Sequence, residues 1–288
     1  MHILVVRNDE SAKAIDASLM ISAYLTSQGI TCSITNSIDV TPDYIEGADM
    51  AVALGGDGTI LRTAHIVGYT GIPILGINFG HLGFLANDPT DSVIAMVASA
   101  LAGECTKEER TNLRISVLCE GDDEDAFDHL STGPFDRSND RSFFALNEIC
   151  VSRGASGRII GFDVAFNGDR LASMRGDGMV VASATGSTAY ALSAGGPLIA
   201  PGFQGLVVVP LAPHSISARA VVTDPNDIVD VTLFDTPSEK DATLFVDGWH
   251  DELPAPIRAV RVQRGSTPTT LLRCNYKGFY EQSKKAFF

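Results

Sequence analysis

The chain carries a single tryptophan and only five cysteines, at 32, 105, 119, 150 and 274. Their number is odd and no two are spaced as Cys-x-x-Cys, which argues against a disulfide framework and against a zinc ribbon. No apolar run approaches the ~20 residues of a spanning helix. The first residues, MHILVVRNDES, show neither a basic leader nor a cleavage site. A soluble, cytoplasmic protein in a reducing compartment is expected. Positive charge is also short: 21 Lys and Arg stand against 35 Asp and Glu, a formal net charge of −14. Such a surface repels nucleic acid and anionic membranes, so neither is expected as a partner. A phosphorylated ligand must then be held by backbone donors, a few placed arginines or a metal ion.

Several common chemistries are missing their residues. No Gly-Lys dipeptide occurs, which removes a Walker A loop, and no His precedes Glu, which removes an HExxH zinc helix. No Ser has Gly at both −2 and +2, so the hydrolase elbow is absent. There is no GxGxxG, so the usual dinucleotide fingerprint is absent too.

What is present is ample apolar material, 45% of 288 residues, enough for about two domains at roughly 150 residues each. In the first hundred residues strands and helices alternate. Strands are expected at 3–8, 32–35, 50–54 and 72–78, and helices at about 10–28, for about ten residues from Thr59, and at 91–101. This predicts a parallel α/β layer over 1–102. From 103 to 265 helical periodicity fades. Strand-like runs recur at 113–119, 143–151, 160–167, 179–183, 206–210, 228–234, 242–248 and 259–264, with Asn167-Gly168 as a hairpin dipeptide. An all-β second domain is expected there. Residues 266–288 form a Lys-rich C-terminal segment expected to return to the first domain. Residues 120–142 hold eight acidic residues against two Arg and read as a long solvated hairpin loop; a metal site in the acidic run 122–125 is the less favoured reading.

The strongest local signal is Leu54-Gly55-Gly56-Asp57-Gly58-Thr59, which follows a buried strand and opens a helix. Backbone N–H groups at a helix N-terminus, on the carboxyl edge of a parallel sheet, favour an anion, and glycine lets phosphate oxygens approach the backbone. A carboxylate in such a loop repels phosphate. Asp57 therefore needs a job: holding a metal, or taking a proton from an attacking hydroxyl. The alternative is a tight turn with Asp57 as a helix cap.

GGDGT in this setting resembles a kinase superfamily that includes NAD kinases, lipid kinases and phosphofructokinases. Further stretches choose among them: ILGINFGHLGFL (74–85), LNE (146–148), RGDGMVVASATGSTAYALSAGGP (175–197), VVVPLAPHSISAR (207–219) and FVDG (245–248). Together and in this order they resemble the NAD kinase family from about residue 50 to 250, and the GTGND segment of the lipid kinases is absent.

The resemblance implies a two-domain NAD kinase that phosphorylates the 2′-hydroxyl of the adenosine ribose of NAD to make NADP. The donor is ATP or polyphosphate, bound with a divalent metal, Mg or Mn, and the assembly is a homodimer or homotetramer. Asp57 is implied at the ribose hydroxyl as general base or metal-linked carboxylate. Gly56 and Gly58 let the donor approach, and Phe84 sits by the adenine. Asn147 and Glu148 bind the dinucleotide. Asp177, Thr188, Ala189 and Tyr190 complete the pocket, with Ser193 nearby. Arg175 is a candidate for the new 2′-phosphate, and Arg62 faces either the donor or solvent. Asp247 is an acidic site candidate or an Asp-Gly turn. No metal-ligating residue is assigned. Ala184 stands where the family usually has proline, which frees the loop backbone. His81 and His214 lie inside motifs but are given no proton-transfer role. A non-catalytic NADP-binding sensor and an NADP phosphatase on the same scaffold remain the alternatives.

Overall fold

A computed structural model describes residues 1–80, 83–88, 92–237, 239–274 and 278–288. His81, inside one of the motifs, lies outside the described residues. In chain order the elements are β1 His2–Arg7, α1 Ala12–Ser27, β2 Thr31–Asn36, β3 Met50–Gly55, α2 Asp57–Val67, β4 Ile74–Asn78, α3 Val93–Leu101 and β5 Thr106–Arg110. Then come β6 Leu113–Cys119, α4 Glu124–Thr132, β7 Ser142–Ala145, β8 Glu148–Ser152, β9 Ile160–Phe166, β10 Asp169–Gly176, β11 Gly178–Ala182 and α5 Tyr190–Ser193. The chain continues through β12 Val207–Leu211, β13 Val221–Val222, β14 Val229–Leu233, β15 Thr243–Val246, β16 Trp249–His250, β17 Ile257–Arg264, β18 Thr269–Arg273 and α6 Phe279–Phe287. Two compact units result: Met1–Arg110 with Thr267–Phe288, and Thr111–Ser266.

The first unit is an α/β layer. Its sheet runs β2-β1-β3-β4-β18-β5. All neighbours pair in parallel except β18 with β5. The apolar run Ile3–Val6 and all of β3 and β4 are buried, as a parallel sheet with both faces covered requires. Helix α1 starts at Ser11, whose side chain accepts the Ala14 N–H, and stops at Gly29 with φ of 70°. Its buried stripe of Ala14, Ala17, Ile21 and Leu25 packs into the core that holds Ile3, Val5, Val52, Leu54 and Leu75. The unit reaches Arg110 rather than stopping at 102, because β5 pairs with β18, and Thr267–Phe288 belongs to it.

The second unit holds two six-stranded sheets among the described residues, β10-β9-β14-β17-β6-β7 and β13-β12-β11-β8-β15-β16. They bury one core between them: Ile115 and Val117 from one sheet meet Ile149, Val151, Val181 and Leu244 from the other. The second sheet buries its far face as well, through Cys150, Val180, Ala182, Val207 and Val209 under Ala191 of α5. That double burial explains continuous apolar runs such as Val207–Val209. The Asn167-Gly168 turn has φ of 52° and 86° and closes the β9–β10 hairpin.

Three expectations are corrected. Residues 120–142 are not a hairpin loop: Glu124–Thr132 is a helix. Arg261 lies over the Phe127 ring at 4.5 Å and Arg114 donates to the Leu130 carbonyl at 2.6 Å, which ties the helix down. The run 143–151 is not one strand but β7 and β8, which enter different sheets. Against the reading of the cysteines, Cys105 and Cys274 are joined by a disulfide, with Cα atoms 4.9 Å apart.

Candidate functional site

The candidate residues of the first unit lie at the carboxyl ends of β3 and β4, where Gly55 lies opposite Asn78. Gly56 is the N-cap of α2 and Asp57 its first residue. The three glycines of this loop differ. A Cβ on Gly55 would strike the Thr59 side chain, whereas on Gly56 or Gly58 it would meet nothing within 4 Å. The protein's own packing demands glycine at 55 but not at 56 or 58. There the bare backbone at a helix N-terminus, with its outward N–H groups and positive dipole end, faces open space.

Asp57 does not cap its own helix. Its Oδ2 accepts the N–H of Phe84 at 2.7 Å, and its Oδ1 accepts those of Leu85 at 3.1 Å and Ala86 at 3.3 Å. A Cβ on Gly83 would collide with this carboxylate. A carboxylate offers about four lone-pair sites; three are used, so Asp57 is fixed in orientation and keeps an acceptor position on Oδ2. Phe84 is half-buried and stacks on Phe287 at 5.6 Å, with Phe279 at 6.1 Å. Arg62 is half-buried on α2. Five positions after Asp57, it projects about 140° around the axis from it.

The candidate residues of the second unit gather around the break between β7 and β8. Asp247 and Gly248 form the β15–β16 turn, with φ of 47° and 84°. The buried Asp247 carboxylate accepts the N–H groups of Leu146 at 2.8 Å, Asn147 at 2.7 Å and Glu148 at 3.0 Å. Asp247 is therefore both the hairpin turn and the anchor of the LNE segment. From the other side Ser183, fully buried, donates to the Leu146 carbonyl at 2.6 Å and accepts from the amides of Thr185 and Gly186. Gly186 sits so close that a Cβ would meet the Asn147 carbonyl.

Glu148 is 6% exposed, and its Oε2 has no hydrogen-bond partner among the described residues. It lines a cavity of about 350 Å³ with Cys150, Ser152, Tyr190, Phe245 and Gly248. Burial and then the charge of Asp247 push its pKa up to about 8, against the opposing Tyr190 backbone N–H. Burial, with Glu148 adding to it, pushes the Cys150 thiol up to about 12, so this thiol is inert at neutral pH. The cavity thus offers an apolar, half-open slot, which suits a planar ring.

The other expected residues divide. Asn147 is half-buried beside Glu148, and Tyr190 stands 48% exposed over the cavity. Thr188 and Ala189 precede it in the turn, Thr188 donating to the Thr185 carbonyl at 3.1 Å, and Ser193 is exposed one turn on. Arg175 and Asp177 do not line the cavity. Arg175 is exposed on the edge strand β10, and Asp177 pairs with Arg153 at 3.2 Å. Ser183, Ser187 and Gly83 were not singled out from sequence. Ser183 and Ser187 lie inside the quoted 175–197 stretch; Ser183 reaches Leu146, 37 positions away, whereas Ser187 binds the nearer Ala184 and Ile199.

Comparisons with known proteins follow the same division. A family model described as ATP-NAD kinase N-terminal domain matches residues 8–105, and one described as ATP-NAD kinase C-terminal domain matches residues 146–274. An NAD kinase of Natranaerobius thermophilus is 33% identical over 91% of this chain and 85% of its own length. One of Heliobacterium modesticaldum is 30% identical over 96% and 94%. Among solved structures, yeast NADH kinase complexed with NADH is similar at a TM-score of 0.80 and 19% identity, over 99% of this chain and 86% of that one. An NAD kinase from Archaeoglobus fulgidus in complex with ATP is similar at 0.74 and 21%, over 99% of each chain. At these identities the two structures speak for the fold.

Proposed function

The chain belongs to the NAD kinase family, and from that premise we propose that it phosphorylates the 2′-hydroxyl of the adenosine ribose of NAD, giving NADP. The observation that carries the chemistry is Asp57: a carboxylate at the mouth of an anion-favouring helix N-terminus, locked by three backbone amides with an acceptor position left on Oδ2. That oxygen accepts the 2′-hydroxyl proton. The ribose oxygen forms a bond to the terminal phosphorus of the donor while the bridging P–O bond breaks and the leaving nucleotide departs, with attacking and leaving oxygens in line. The open backbone at Gly56 and Gly58 receives the donor phosphates.

Asn147, Glu148, Thr188, Ala189, Tyr190 and Ser193 bind the dinucleotide, with Phe84 beside the adenine. Asp247 holds Asn147 and Glu148 rather than touching ligand. Arg175 is assigned to the new 2′-phosphate and Arg62 to the donor, while Asp177, paired with Arg153, stands outside the cavity.

Among the described residues no group of three His, Cys, Asp or Glu is arranged to hold a metal. Asp57 keeps a carboxylate lone pair on Oδ2, which fits a cation that arrives on the donor's phosphates, as Mg²⁺ commonly does. When bound, Mg or Mn supplies the positive charge that a chain of net charge −14 lacks. The proposal extends to ATP or polyphosphate as donor, a cytoplasmic setting and a homo-oligomer. Among the described residues no helix is long and apolar enough to cross a membrane.

The test is a coupled assay: protein with NAD and Mg²⁺, with ATP or polyphosphate, NADP being read by an NADP-specific dehydrogenase. NADP formation supports the kinase and ranks the donors. No NADP while NAD or NADP still binds moves the reading to a sensor or a phosphatase.

A further inference from the structure

The segment 84–86 is gripped from two sides. Its N–H groups point at Asp57, while the carbonyls of Phe84 and Leu85 accept from one guanidinium, Arg273, through Nη2 at 3.1 Å and Nη1 at 2.5 Å. These bonds fall on the same peptide groups. The Phe84 carbonyl and the Leu85 N–H belong to one planar unit, and the Leu85 carbonyl and the Ala86 N–H to the next. In a trans peptide the two groups point in opposite directions. Each of these consecutive peptides is therefore strung between a cation at its oxygen and a carboxylate at its N–H, and such chains of hydrogen bonds polarise one another.

Arg273 is itself built in. It ends β18, is 5% exposed, and places Nε 2.5 Å from Oε2 of Glu108 on the neighbouring β5. Glu108 also takes Nε of Arg110, which is 2% exposed, at 2.5 Å. Burial alone would raise the Glu108 pKa; the two arginines reverse this and hold it below the usual carboxylate range. The fork of Arg273 is held by the two carbonyls and by Glu108, and a lysine has no fork to replace it. Asn87 closes the segment: its side chain donates to the Gly76 and Leu272 carbonyls at 2.8 Å and accepts the Cys274 N–H at 3.0 Å.

We propose that Arg273 is the positioning residue of Asp57, acting through the Phe84–Leu85 and Leu85–Ala86 peptides to fix which carboxylate oxygen is presented to the substrate hydroxyl. Both N–H groups that Arg273 aims converge on Oδ1, so Oδ2 keeps the open acceptor position. The inference rests on the reading of Asp57 as the acceptor of the ribose proton.

Arg273→Met removes the fork while leaving Glu108 its bond to Arg110. The expected result is a kcat loss of roughly 100-fold, the scale of a misplaced reacting group, with KM for NAD and for ATP within about threefold. In an Asp57→Asn background the same change adds little further loss, because both act through one group. Independently of turnover, amide exchange at Leu85 and Ala86 accelerates in Arg273→Met while amides of α1 and β1 stay protected. Full additivity with Asp57→Asn, or wild-type exchange at Leu85 and Ala86, overturns the proposal. A fully active Asp57→Asn enzyme overturns the reading of Asp57 instead, and the exchange measurement still decides whether Arg273 holds the segment. If Arg273→Met does not fold, Arg273→Lys, which keeps the charge and gives up the fork, carries the same comparisons.

Discussion

Asp57 and Asp247 do the same work in the two units: each accepts three successive backbone N–H groups, Phe84 to Ala86 for one and Leu146 to Glu148 for the other. The difference lies in exposure. Asp247 is buried, while Asp57 is only half-buried. The first is an anchor and the second an anchored group.

Replacing Asp247 by Asn puts an NH2 where an acceptor oxygen stood. At least one buried N–H among Leu146, Asn147 and Glu148 loses its partner, at about 1–3 kcal/mol. The expected outcome is a lower melting temperature and a KM for NAD raised by roughly tenfold, the equivalent of about 1.4 kcal/mol. The effect on kcat is smaller. Steady-state kinetics with a thermal melt on one preparation check both.

The glycines of the loop separate folding from binding. Gly55→Ala drives a Cβ into Thr59 and lowers stability by roughly 1–3 kcal/mol. Gly56→Ala and Gly58→Ala find open space and leave the melting temperature nearly unchanged, but raise KM for the phosphoryl donor. Equal destabilisation by all three substitutions would contradict this division.

Glu148 makes stability depend on pH. Its folded pKa, raised to about 8, lies above that of the unfolded chain, so the folded state holds the proton more tightly. Its stabilising contribution is complete below the unfolded value near 4.5 and is lost as pH rises through about 8. Glu148→Gln removes this dependence. The ligand-free variant is expected to match wild type near pH 5 and to exceed it by a few kcal/mol near pH 8.5. Melting curves across that window check it, and parallel curves would contradict it.

Much of this was legible in the sequence. The buried strands of the first unit announce themselves as apolar runs ended by turn residues, as at Met50–Leu54 before Gly55-Gly56, and the GGDGT segment stood out by itself, whereas LNE stood out only through the resemblance to a family. What stayed hidden depends on distant partners. The run FFALNEICV gives no sign of its break at Leu146, which Asp247 imposes from about a hundred positions away. Strand β5, TKEER, has no apolar residue and exists as the edge strand paired with β18. The same register, ending at Arg273 opposite Thr106, sets Cys274 beside Cys105. Helix α4 was masked by its acidic surroundings, since the partners that hold it, Arg114, Arg258, Arg261 and Gln263, come from strands elsewhere in the chain. That Asp57 is needed could be argued from its place in a phosphate loop; what it grips could not.

The most direct test is Asp57→Asn, with turnover and NAD binding measured side by side. The account predicts that NAD binds within a few-fold of wild type while kcat falls by about 10²–10⁴, the range for a lost proton acceptor. Full turnover in Asp57→Asn would contradict the account and remove this carboxylate from the chemistry.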